Sequence, residues 1–237
     1  MEPIFQLGFS AQAANTAAED FGIPYFTVAR NLAAQSWEGR GYEDMPCPSS
    51  FYDNVQDDYL SCNDFGGGNS KQRIEVGSSG TFSFFWDEPW QSVSGPPGPQ
   101  TDLDIFLFDA ETGQLLVAGG QINEGADAFE HFKVPNAGTY DVVIARFSGP
   151  SPSLIKWIFR GNLISSDPPA DTATVTSTGN APSTAAVGAA SDQQTFSQLL
   201  LEEGSSLGGI PLIFDKEGNR FPQELVLNQP RFVGPDG

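Results

Sequence analysis

The chain has 237 residues, enough for one large domain or two modest ones with buried cores. An apolar fraction of 39% excludes a disordered chain, and thirty acidic against eleven basic residues, a net charge of -19, make nucleic acid an unfavourable partner. No run approaches eighteen apolar residues, so no membrane span is expected, and "MEPIFQLGFSAQAAN" lacks the basic start and long apolar stretch of a signal peptide.

Residues 1–45 read as α/β. "SAQAANTAAED" is alanine-rich and favours a helix, Gly22 stops it, and "IPYFTVA" follows as a buried strand. A helix feeding an apolar strand is the unit of a covered parallel sheet. The strand runs into Ala29, Arg30 and Asn31. Side chains at the carboxyl end of such a strand face the crevice where α/β folds place their sites. An Asn there either caps a turn or donates an amide N–H to a developing oxyanion.

Residues 46–165 read as an all-β sandwich. Short apolar or alternating runs, among them "GTFSFFWDEPW" and "DLDIFLFDAETGQLLVAG", alternate with Gly, Pro, Asn and Asp. "DAETGQ" and "PNAGT" read as hairpin turns. Cys47 and Cys62 lie at a spacing easily closed by a disulfide, worth about 3 kcal/mol; two free thiols are the other reading. Asp102 and Asp104 share one face of a strand that ends at Asp109, and these oxygens either hold calcium or are solvated acids and a turn residue. Phe84 and Trp86 fall on one strand face and Phe85 on the other, with Trp90 beyond, as sandwich core or as an aromatic platform. His131, the one histidine, sits in the alternating "FEHFK" as a half-exposed strand residue.

Residues 166–237 open with the link "SSDPPADTATVTSTGNAP". "STAAVGAAS" then reads as a strand, and "IPLIFDKEGNRF" as a hairpin turning at Glu217-Gly218-Asn219. "GSSLG" places Ser206 in a G-x-S-x-G pattern, but a strand follows it where a nucleophile elbow needs a helix, so it reads as a turn. The simplest arrangement is one α/β domain interrupted by an inserted sandwich.

"PIFQLGFSAQAANTAAEDFGIPYFTVARNLAAQSWEG" resembles the segment of subtilisin-like serine peptidases that leads into their "AAGN" motif, with Asn31 at the place of the oxyanion-hole Asn. "GNAPSTAAVGAAS" resembles their "HxxAxxVGA" strand, "EEGSSLGG" their "FSSxGP" turn, and "LNQPRFVGPDG" their "KPDVVAPDG" approach to the nucleophile. Residues 63 to 162 resemble the pre-peptidase C-terminal type of β-sandwich, through "TDLDIFLFDAETGQLL" and "YDVVIARFSGPSPSLIKWIFRG".

The resemblance implies a partial subtilisin-like parallel sheet with helices, in residues 1–45 and 166–237, interrupted by a jelly-roll-like sandwich in residues 46–165. It implies a secreted, monomeric serine endopeptidase that acts on protein or peptide through an acyl-enzyme. Asn31 is then the oxyanion donor, with Ser205, Ser206 and Gly208 in substrate binding. No cofactor is implied beyond calcium, for which Asp102, Asp104 and Asp109 are the candidates. The departures are specific. The family's Asp and His would precede this segment, its "GTSxxxP" motif is not in the sequence, Arg30 replaces a Gly, and Gly234 replaces an Ala. The chain alone is therefore expected to be inactive. The alternative is a non-catalytic β-sandwich that binds glycan, peptide or calcium.

Overall fold

Strand is the dominant state of the chain, about 40% against 10% helix. The computed structural model describes residues 1–193 and 200–236. In chain order it contains helix α1 (Phe9–Glu19) and strands β1 (Tyr25–Val28), β2 (Ser36–Gly39) and β3 (Asp44–Met45). Helix α2 (Ser49–Tyr52), β4 (Ser61–Asn63), β5 (Gln72–Val76), β6 (Gly80–Trp86) and α3 (Gln91–Ser94) follow. Then come β7 (Asp102–Asp109), β8 (Leu115–Gly119), β9 (Phe129–Val134), β10 (Gly138–Ser148), β11 (Ile155–Arg160) and β12 (Leu163–Asp167). The chain continues through β13 (Thr184–Ser191), β14 (Pro211–Phe214), β15 (Arg220–Val226) and β16 (Phe232–Asp236). Two compact units result: Met1–Gln35 with Thr172–Gly237, and Ser36–Asp171.

In the first unit β1, β13 and β16 form a three-stranded sheet with β13 in the centre, and both pairings are parallel. Helix α1 forms where the alanine-rich stretch places it and buries Ala11 and Ala14, and Gly22 follows it at φ 64°. Strand β1 corrects the expectation of a buried strand: Tyr25, Phe26 and Val28 are exposed. Among the described residues this unit has one α-helix, of eleven residues, whose buried side chains are alanines, too little apolar surface to cover both faces of the sheet. Phe26 packs instead on Phe232 of the opposite edge strand, ring centroids 5.7 Å apart. The expected subtilisin-like α/β fold is not supported; the chain is mostly β-sheet, in several sheets.

The second unit is built of two antiparallel sheets. One has the order β2-β11-β6-β9; the other is centred on β10, which pairs β5 and β4 on one edge and β7 on the other. Residues 36–45, assigned from the sequence to the α/β piece, pair here: Trp37 lies opposite Trp157, and Met45 opposite Cys62. The core between the sheets is aromatic. Phe82 meets the edge of Trp157 at 5.0 Å, and the Trp157 indole N–H donates to Gln72 Oε1 at 2.9 Å, so the buried amide is satisfied across the layers. Phe85 faces away and packs on Trp90 and Phe129.

A smaller core lies on the other face of β7 and β10, where Phe51, Val55, Phe106, Phe108 and Val143 pack under α2. The Cys47–Cys62 disulfide closes the segment that carries α2 over these strands.

Candidate functional site

Strands β1, β13 and β16 run in one direction, but β1 ends level with Val187, where β16 begins, and β13 and β16 run on together to Ser191 and Asp236 beyond the end of β1. A cleft of about 280 Å³ opens there, lined among others by Val28, Arg30, Asn31, Gly188, Gly234 and Asp236. The Ala29 N–H still donates to the Val187 carbonyl at 2.9 Å, and the chain then leaves the sheet at Arg30. Arg30 adopts φ 86°, a left-handed conformation that side-chain-bearing residues rarely take. The turn carries Asn31 to the surface.

Ser206 holds this turn. Its backbone N–H donates to the Arg30 carbonyl at 3.0 Å, and its Oγ accepts from the Leu32 N–H at 3.1 Å. Asn31 therefore hangs between two hydrogen bonds to one fully buried serine. The next bond, Ala33 N–H to the Gly204 carbonyl at 2.9 Å, extends the contact. Ser205 is likewise buried, and its Oγ accepts from the Ala189 N–H at 3.1 Å. At Gly208 a Cβ would lie 1.8 Å from the Gln229 carbonyl oxygen, so glycine is required by packing. Of the three residues read from the sequence as substrate-binding, Ser206 holds the Asn31 turn, Ser205 holds the β13 backbone at Ala189, and Gly208 packs on Gln229. Nothing local in "GSSLG" signals this, because the partner of Ser206 lies 174 residues away in the chain.

Of the acidic candidates in the second unit, Asp102 and Asp104 lie near each other and Asp109 stands apart. Asp109 sits in the turn between β7 and β8, where its Oδ1 accepts from the Glu111 N–H and from the N–H and hydroxyl of Thr112. Those bonds hold its carboxyl below the ordinary range. Asp104 is buried and accepts from the Tyr59 hydroxyl; burial pushes it up to about 7. Asp102 is raised by burial and accepts from the Asn123 N–H at 3.3 Å. Sequence reasoning missed Glu130, which alternation places inward with Phe132; it is wholly buried and also raised to about 7 by burial. Among the described residues no group of three or more His, Cys, Asp or Glu side chains is placed to hold a metal ion.

His131 is exposed on β9, its ring stacked at 5.2 Å on Phe129. Phe129 lines a second cleft, about 340 Å³, together with Gln91, Gln121, Asn123 and Asp127.

No family model matches the chain, and no curated protein does. Among solved structures, that of the Clostridium perfringens CspB protease is similar with a TM-score of 0.44 and 10% identity, over 90% of this chain and 40% of that one. This chain thus spans well under half of that protease chain. The likeness to a protease is distant, and at that score it carries no argument about activity. The expected membership of the subtilisin-like peptidases is overturned, since a distant structural likeness is all that remains of it and the chain is mostly β-sheet.

Proposed function

We propose that the cleft beyond the carboxyl end of β1, beside β13 and β16, binds an extended polypeptide, with Asn31 donating its amide N–H to a carbonyl oxygen of the bound chain. The observation that carries this reading is Asn31 itself, exposed on a cleft at the end of a parallel strand and fixed on both sides by buried Ser206. A side-chain amide N–H aimed at a carbonyl oxygen is the kind of donor that stabilises an oxyanion in peptide-bond hydrolysis. Hydrolysis also needs a nucleophile and a base. The described lining residues carry no hydroxyl, thiol or imidazole, so what they offer is substrate holding and carbonyl polarisation.

The test is fluorescence anisotropy with labelled uncharged decapeptides. Asn31→Ala is expected to weaken binding about five-fold, the equivalent of one neutral hydrogen bond of about 1 kcal/mol. Unchanged affinity in Asn31→Ala overturns the reading. A fluorophosphonate probe is expected to leave the chain unlabelled, and labelling would show that it holds an activated serine after all.

A second reading rests on the other cleft. Phe129 in an amide- and carboxylate-lined cleft is the chemistry of a non-catalytic glycan- or peptide-binding sandwich. Retention on a polysaccharide column, lost in Phe129→Ala, is the outcome that would establish it. Under either reading the Cys47–Cys62 bond supports an oxidising, extracellular setting.

A further inference from the structure

We propose that Arg30 makes the Asn31 cleft selective for polypeptides carrying an acidic side chain. This rests on the reading of that cleft as a polypeptide site and adds the class of substrate it prefers.

The first observation is charge. Acidic residues outnumber basic ones thirty to eleven, so a cation in this protein has many possible partners. Arg40 and Lys156 pair with Glu38, Lys71 and Arg73 with Asp141, Arg146 with Asp44, and Lys216 with Glu217. Arg231 donates to the Pro182 carbonyl. Among the described residues Arg30 and the exposed Lys133 make no ion pair, and of these two it is Arg30 that lines the cleft.

The second observation is backbone conformation. At φ 86° an arginine is disfavoured relative to glycine, yet the carbonyl of Arg30 is tied to Ser206 and the preceding N–H to Val187, so the conformation is imposed from both sides. Ala33 and Ser177 share this left-handed conformation, but Arg30 alone of the three lines the cleft, and disfavoured conformations cluster at ligand clamps. The planar guanidinium offers paired N–H donors that match a carboxylate.

The third is what else lines the cleft. Apart from Arg30 and Asp236, its lining residues are uncharged. Arg30 follows β1 and Asp236 ends β16, with β13 between them. Two strand spacings, about 10 Å, therefore separate the two edge strands. A carboxylate is favoured at the β1 side and disfavoured at the β16 side, which gives the cleft a polarity.

The experiment measures anisotropy of three labelled peptides that differ at one position, Glu, Gln or Lys, at 150 mM salt, where the Debye length of about 8 Å suppresses repulsion from the remote acidic surface. The Glu peptide is expected to bind wild type up to about five-fold more tightly than the Gln peptide, as befits a partly exposed ion pair, and the Lys peptide more weakly than either. Arg30→Gly, which suits the observed φ and so folds, is expected to abolish the Glu/Gln ratio, and Arg30→Glu to invert it. A ratio that is absent in wild type, or unchanged in Arg30→Gly, overturns the proposal while leaving the polypeptide site in place. Asn31→Ala should weaken all three peptides alike. If none of the peptides binds wild type, the polypeptide site and the selectivity fall together.

Discussion

Ser206 shows how much one buried hydroxyl decides in the first unit. Its Oγ is the acceptor for the Leu32 N–H, and the serine is fully buried. Ser206→Ala leaves that N–H without its acceptor, at a cost of about 1–3 kcal/mol. The expected signature is local: faster hydrogen exchange at Leu32 and Ala33, unchanged exchange at Val187 in the sheet, and weaker peptide binding irrespective of peptide charge. Unchanged exchange at Leu32 would mean that the serine does not hold the turn. Arg30→Gly acts on the same turn but in the opposite sense. Relief of a left-handed side-chain residue gains about 1–2 kcal/mol, and the added freedom of glycine in the unfolded chain returns about 0.5–1. The small net gain is what makes that variant a clean probe of charge.

Among the elements, the short helix α2 and the disulfide beside it do more than their length suggests. Phe51 is the centre of the outer core: its ring meets those of Tyr59 and Phe106 edge-on at 5.5 and 5.1 Å, and only 1% of it is exposed. Phe51→Ala is expected to cost about 3–5 kcal/mol, since the closed loop restricts collapse around the cavity. Reduction of Cys47–Cys62, which spans 15 residues, should cost about 3 kcal/mol. All four tryptophans (Trp37, Trp86, Trp90 and Trp157) lie in the second unit, so urea unfolding followed by tryptophan fluorescence reads these losses there alone. If Phe51→Ala leaves the midpoint unchanged, the outer core is not coupled to the sandwich. The sandwich elements were legible because their signals are local. Alternation separates Phe84 and Trp86 from Phe85, and Asp109 with Gly113 marks its own turn. Burial of β1 was not legible. An apolar run states that a segment prefers cover, whereas the cover available depends on how many helices the rest of the chain supplies. The cleft was legible only in Asn31 and Arg30, because the residues that fix them lie across the chain.

At the scale of the whole molecule, the net charge of -19 and the buried acids act in the same direction on stability. Asp104 and Glu130 are both raised to about 7 in the folded state, from 3.8 and 4.5, because burial penalises their charged forms. Asp102, Asp57 and Glu124 add negative charge near this group of acids, and the Tyr59 hydroxyl is the polar partner that offsets part of the penalty at Asp104. The folded state therefore binds more protons than the unfolded chain between about pH 4 and pH 7. The stabilisation is fully present below the unfolded values and is lost as pH rises through 7. General repulsion among surface carboxylates declines over the lower part of the same interval. The opposing carboxyls of the sandwich, Asp44, Asp64 and Asp109, are lowered by hydrogen bonds and act only at more acid pH, and Lys156, lowered to about 8 by burial, acts at the alkaline end. The sandwich should thus be more stable at pH 5.5 than at pH 8, by roughly a few kcal/mol at one pK unit per 1.36 kcal/mol. The double variant Asp104→Asn, Glu130→Gln should flatten that slope without abolishing it. Urea midpoints from tryptophan fluorescence at the two pH values provide the check, and a midpoint that is higher at pH 8, or a slope untouched by the double variant, would show that the two carboxyls are charged in the folded protein.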